Sequence, residues 1–174
     1  MGSIIKVNEY KDFNNNAIMT SDGAGNVTVN ASGLQNTPAF HAYNNADQNI
    51  SASTLTQVVF NTEIYDTDNA FASNQFTVPS GKGGKYFVYF RIGFATGTDF
   101  AWQATVQINS AFNADSGFRV NQNNWYYDNI FSGQVFDLSA GDVARVMIYQ
   151  ADSTLNVSGT ENRANFGGYR IIGA

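Results

Sequence analysis

KYFVYFRIGF, residues 85–94, carries the reading that decides the fold. Tyr86, Val88, Phe90, Ile92 and Phe94 fall on alternate positions, so an extended chain sends all five to one side. Such alternation of aromatic and β-branched residues marks a strand with one buried face, and no helix-period window of useful length competes with it. The preceding PSGKGG, residues 79–84, supplies the turn that leads into it.

The same period recurs along the chain. In WQATVQIN, residues 102–109, Trp102, Ala104, Val106 and Ile108 are expected inward, and Gln103, Thr105, Gln107 and Asn109 outward. Further strands are expected near 38–43, 57–66, 74–79, 117–122, 133–138, 142–151 and 165–173, with a turn at SAGD, residues 139–142. Pro38 opens a strand and Pro79 closes one, positions at which no ladder hydrogen bond is forfeited. Eight or nine strands at this spacing predict an all-β fold, a two-sheet antiparallel sandwich or jelly roll.

Residues 1–36 read differently. FNNNA and SDGAGN separate the short pieces IIKV and NVTVN, which predicts an extended N-terminal arm with one or two small strands. Such a segment cannot bury enough apolar surface alone and is expected to be either mobile or docked on a partner. The division is therefore an arm, 1–36, and a head, 37–174. Ile4, Ile5, Val7 and Tyr10 are the arm's docking candidates.

Composition removes several classes of function. Of the 174 residues, 43% are hydrophobic and only 13% charged, so the surface is polar through Asn, Ser, Thr, Gln and Gly rather than through ions. A net charge of -5 with no Lys/Arg stripe argues against a nucleic-acid partner, and no basic amphipathic helix or 20-residue apolar span suggests membrane insertion. With no cysteine, thiolate catalysis and sulfur-based zinc sites are excluded. The start, MGSIIKVNEY, lacks a signal-peptide apolar core, so export by that route is not expected.

Candidate chemistry is sparse. His41 is the sole histidine, in PAFHAY, and its expected role is a packed or hydrogen-bonded structural residue rather than catalysis or metal ligation. EIYDTDNAF places Glu63, Asp66, Asp68 and Asn69 together. Its D-x-D-N core resembles an oxygen-rich calcium loop, with Asp66 and Asp68 as candidate ligands, but it lacks the glycine and final glutamate of an EF-hand, and an Asx-type turn is the favoured reading. Glu63 and Asp66 could also do acid/base work, as in a surface-polysaccharide depolymerase, but nothing in the sequence shows a cleft holding them at glycosidase separation. NWYYDN clusters Trp125, Tyr126 and Tyr127, a composition suited either to stacking on sugar rings and anchoring a protein contact or to covering a sheet edge. Sequons at Asn26, Asn30, Asn49 and Asn156 are expected by chance in a chain of this composition. No catalytic residue and no cofactor is assigned.

Taken in order, these pieces resemble a known family. From residue 58 the chain runs VVF, Asp66, Phe71, Phe76 and GKYFVYF. C1q-like globular domains, part of the tumour-necrosis-factor-like jelly rolls, have an F, an N/D, an aromatic, an F and then G-x-Y-x-F-x-F/Y. The interval from Phe71 to Phe76 is shorter than the family's, that from Phe76 to Gly84 longer, and Val88 replaces a Phe. SGQVFDLSAGDVARVMIYQ, 132–150, resembles the family's alternating strand, acidic turn and long strand, and NFGGYRII, 165–172, its closing strand. The resemblance spans residues 38–173 and implies a C1q/TNF-like jelly roll that assembles as a homotrimer. It also implies that Phe166, Gly168, Tyr169 and Ile171 serve the core or the threefold contact, with Gly167 and Gly168 admitting a neighbouring backbone or ring.

Animal members usually carry a collagen stalk and a signal peptide, and neither is expected from the residues of this sequence. The arm opening with IIKVNEY is instead similar to segments that dock structural proteins onto tailed bacteriophages. That second resemblance implies a non-enzymatic virion protein, on the particle surface, acting as fiber, spike or capsid decoration. Its partners would be other virion proteins through the arm and a host-surface glycan or protein. The alternative is a free carbohydrate-binding or signalling module of the same fold.

Overall fold

The computed structural model describes residues 6–30, 34–94, 100–112, 118–122, 129–151 and 155–172. In chain order its strands are β1 (Glu9–Lys11), β2 (Ala17–Ser21), β3 (Val27–Val29), β4 (Ala39–Tyr43), β5 (Gln48–Ile50), β6 (Thr56–Gln57), β7 (Thr62–Asp66), β8 (Phe71–Ala72) and β9 (Gln75–Thr77). They continue with β10 (Gly84–Gly93), β11 (Phe100–Ile108), β12 (Ala111–Phe112), β13 (Phe118–Gln122), β14 (Asn129–Leu138), β15 (Val143–Gln150), β16 (Leu155–Val157) and β17 (Asn165–Arg170).

Two large antiparallel sheets and a two-stranded one, β16-β5, form the head. One large sheet has the order β14-β10-β17-β4-β7; the other runs β12-β11-β15-β9-β8, with β13 and β6 also pairing into it. Their facing sides bury Tyr86, Val88, Phe90, Ile92 and Phe94 from β10 and its end, and Trp102, Ala104 and Val106 from β11. Phe40 is stacked on Phe76 at 4.6 Å and on Phe71 at 5.4 Å, and meets Phe166 edge-on at 5.0 Å. Each fully buried phenylalanine contributes about 2 kcal/mol through water-exposed area removed. The Tyr86 hydroxyl, deep in this core, donates to the Lys82 carbonyl, so its polar end is not left without a partner.

The expected turns form as their chemistry requires. Lys82 N–H reaches the Pro79 carbonyl and Asp142 N–H the Ser139 carbonyl, while Asp142 Oδ2 accepts from Ser139 N–H at 2.7 Å and Oδ1 from the Asn109 amide at 2.6 Å.

Three expectations are corrected. The strand expected over 57–66 is two strands in different sheets: β6 pairs with β15, β7 with β4. Between them the chain crosses the sandwich, and its donors bond elsewhere: Val59 N–H to Gln48 Oε1 and Phe60 N–H to Asn74 Oδ1, both at 2.9 Å. Thr105 and Gln107, expected outward, are buried; Arg145 on β15 lies across Gln107, its Nε donating to Oε1 at 3.0 Å.

The arm holds three strands rather than one or two, as an antiparallel meander β1-β2-β3. Its two hairpin loops share one wiring. Asp12 Oδ1 accepts from Asn14 and Asn16 N–H while the Asn16 amide donates to Oδ2; Asp22 does the same with Ala24 and Asn26. These Asx contacts hold both carboxyls below the usual range, the Asn16 and Asn26 side chains being the main cause.

Candidate functional site

The outer side of the five-stranded sheet is where sequence and exposure disagree. Register places Phe131, Arg91, Asn165 and Tyr43 in one row across β14, β10, β17 and β4, and Gly133, Tyr89, Gly167, His41 and Tyr65 in the next, which extends to β7. A third row holds Val135, Phe87, Tyr169 and Ala39. Phe131 is 60% exposed, Val135 and Tyr65 each 47% and Tyr169 38%. Phe87 and Tyr89 are half-buried.

The rings make a continuous plate. Phe87 lies 5.9 Å from Tyr89 and 5.8 Å from Tyr169, and Tyr89 lies 6.0 Å from Phe131. Glycines on both flanking strands make room for it. A Cβ at Gly133 would stand 2.7 Å from Phe87 Cζ, and one at Gly167 2.5 Å from Tyr89 Oη. With no side chain at either position, the rings lie against the sheet instead of standing off it. Gly168 faces the other way, where a Cβ would meet the Phe87 carbonyl oxygen at 2.9 Å and the Phe40 ring at 3.0 Å.

His41 lies within this plate. Its Nδ1 is 2.8 Å from Tyr89 Oη, and its ring is stacked with Tyr65 at 6.1 Å. Burial pulls the imidazole below its ordinary 6.5. Burial, with Tyr65 and Tyr169 adding to it, pushes Tyr89 up to about 12, so the phenol stays neutral at any ordinary pH.

The other sequence candidates are placed as follows. Phe166 is in the core, Gly168 on its core side, Tyr169 on the plate and Ile171 just beyond β17. Asp66 is occupied by its own loop: Oδ2 accepts from Phe71 N–H at 2.7 Å and Oδ1 from Asp68 N–H at 3.3 Å. Asp68 accepts from the Thr67 hydroxyl and sits 3.7 Å from Lys82 Nζ. The Asx-turn geometry is therefore present, and among the described residues no group of three or more His, Asp or Glu side chains could hold a metal ion. Glu63 is exposed on β7. Val7 and Tyr10, with Met19 and Val27, line an apolar groove of about 180 Å³ on the arm meander. Ile4, Ile5, Trp125, Tyr126 and Tyr127 lie outside the described residues.

The residues that sequence reasoning missed are Phe87, Tyr89, Phe131 and Val135. Their signal was available: KYFVYF is apolar in both phases of its alternation, and a strand with one dry face has no need of that.

No family model matches the chain, and no curated protein does. Solved structures do. The chain is similar to the globular domain of zebrafish complement 1qA protein, at 18% identity and a TM-score of 0.57, over 77% of this chain and 96% of that one. Murine APRIL superposes with a TM-score of 0.53 at 18% identity, over 76% and 98%. Eiger TNF from S. frugiperda does so at 0.52 and 17% identity, over 78% and 93%. The head has the C1q/TNF jelly-roll fold.

Proposed function

We propose that the chain is a non-enzymatic structural protein of a bacteriophage particle: a homotrimeric jelly-roll head held on the virion by residues 1–36, serving as fiber, spike or capsid decoration. The observation that carries the assembly reading is the partly exposed aromatic plate of Tyr65, Phe87, Tyr89, Phe131 and Tyr169, with Val135 beside it. A contiguous aromatic patch on a weakly charged surface is what self-association buries. The arm supports attachment in the same way, since its three short strands pair only with one another and leave Val7, Tyr10 and Val27 exposed over the groove. Three strands need a covered apolar face to be stable.

Sedimentation equilibrium tests the first part: a trimer is expected, and a monomer at working concentration refutes it. Locating the chain on a purified particle tests the second. Deleting residues 1–36 is expected to release a folded head from the particle, and a truncated head that still binds refutes the arm's role.

The second reading, a free glycan-binding module, draws on the Trp125, Tyr126 and Tyr127 cluster. A glycan array separates the two, since specific binding lost in Trp125→Ala supports the module and a blank array the structural part.

A further inference from the structure

We propose that the aromatic plate carries a pH-sensitive switch: His41, seated over Gly167 and hydrogen-bonded to Tyr89, lets copies of the chain stay joined only while its imidazole is neutral. The inference rests on the reading of this face as the contact between copies, and adds a mode of regulation to it.

The geometry isolates the imidazole among uncharged rings. Nδ1 lies 2.8 Å from Tyr89 Oη, Tyr65 stacks on one side, and the seat exists because position 167 has no side chain: a Cβ there would stand 3.0 Å from Nδ1. The ionisable groups nearest His41 on the face, among the described residues, are Tyr65 from β7, Tyr169 from β17, Tyr89 and Arg91 from β10, and Tyr43 on β4 itself. None of these is a carboxylate; the acid in the outward phase of β14, Asp137, stands opposite Lys85, two register rows and three strands away from His41. The acids of β7, Glu63 and Asp66, register against Ala42 and Phe40, which point to the core side, and Asp66 is taken up by the N–H groups of Asp68 and Phe71. Arg91 adds a like charge. An imidazolium here has no anionic partner among the described residues and depends on water for its solvation.

In the separate protomer that water reaches His41 from the open side of the sheet. Joining copies over the plate removes it, and a charged ring in a dry aromatic contact is disfavoured. The separated form therefore binds the proton more tightly than the assembly. By linkage, acid favours separation; the effect is absent above the separate protomer's own value, which burial already holds below the ordinary 6.5, and grows as pH falls through it.

The experiment uses the full chain at about pH 8 and about pH 5, with mass by sedimentation equilibrium and the histidine ring protons followed by NMR. One histidine makes that titration unambiguous. If assembly lowers each of three imidazoles by about one unit, the association constant falls on the order of a thousandfold in acid, tenfold per ring. His41→Gln, which keeps a hydrogen-bonding side chain and does not titrate, is expected to stay assembled at both values.

The inference is overturned if the wild type is equally assembled at both, if His41→Gln separates in acid as the wild type does, or if the assembled ring titrates at its ordinary value. The last readout needs no variant and decides the matter should His41→Gln not fold. A monomer already at pH 8 refutes the self-association reading itself, and the switch with it.

Discussion

Gly167 and Gly168 are neighbours on β17 with opposite faces, and replacing each by alanine is expected to damage a different property. At Gly168 the new methyl meets the Phe87 carbonyl oxygen at 2.9 Å, Phe40 Cε1 at 3.0 Å and Val88 Cα at 3.4 Å. Two of these are backbone of the paired strand β10, and Phe40 is itself clamped by its 4.6 Å stack on Phe76. Nothing there swings aside, so overpacking costs about 1–3 kcal/mol, offset by about 0.5–1 kcal/mol from removing a flexible glycine from a strand. At Gly167 the methyl meets the tip of Tyr89, at 2.5 Å from Oη and 2.6 Å from Cζ, and the outer face is open for that ring to turn away. Folding should then change little, while the 2.8 Å bond to His41 is lost and the plate disordered. A lost hydrogen bond of about 1 kcal/mol per protomer, taken three times, weakens a trimer by about two orders of magnitude. Urea unfolding, followed by tryptophan fluorescence at two protein concentrations, measures the first effect. The middle of the two ranges is a net loss of about 1.2 kcal/mol, so with an m value of about 2 kcal/mol/M Gly168→Ala should lower the urea midpoint by about 0.6 M. Sedimentation measures the second. If the two variants exchange these effects, or neither changes anything, the assignment of one glycine to the core and the other to the plate is wrong.

Phe40→Ala removes the hub of the aromatic core, and calorimetry should register a loss of about 3–5 kcal/mol. Deleting residues 166–174 takes β17 from between β10 and β4, splitting the five-stranded sheet and leaving each with one edge unpaired; no cooperative thermal transition is expected, and a soluble, sharply melting product would refute the closing-strand reading. Asp142 is held below its ordinary 3.8 first by the Asn109 amide and then by Ser139 N–H. Its contribution is present above about pH 4 and lost as pH falls through the lowered folded value. Since the group is exposed, Asp142→Asn should flatten the acid limb of the stability profile by less than about 1 kcal/mol.

The head was legible in the sequence wherever one phase of a strand feeds the core. Tyr86 to Phe94 and Trp102 to Val106 are buried in the phase their alternation indicates, because a one-residue slip would turn the whole set to solvent. The stretch 57–66 misled because period 2 reports extension and says nothing about which sheet a strand joins. The crossing between Gln57 and Thr62 is held by two amide side chains, Gln48 and Asn74, that no local pattern marks. β5 and β16 were invisible for a related reason, since three residues of mixed polarity carry no period.

The plate was hidden by the habit of reading alternation for one phase only. Phe87 and Tyr89 occupy the phase that should have been polar, as Phe131 and Val135 do in β14, whose own buried phase runs through Ile130, Phe136 and Leu138. An apolar residue in the second phase of a long strand implies a cover on the second face. Among the described residues no element of the chain packs over this one, and Phe131 stays 60% exposed. The signal for the proposed contact is therefore in the two apolar phases of KYFVYF, while the surface itself is defined only when β14, β10 and β17 lie side by side. His41 falls into the same row by register with Gly167 and Tyr89, a placement that needs β10, β17 and β4 to be neighbours. That adjacency belongs to the topology of the jelly roll, which is why a lone histidine in PAFHAY carries no signal along the chain and acquires its neighbours only in the fold.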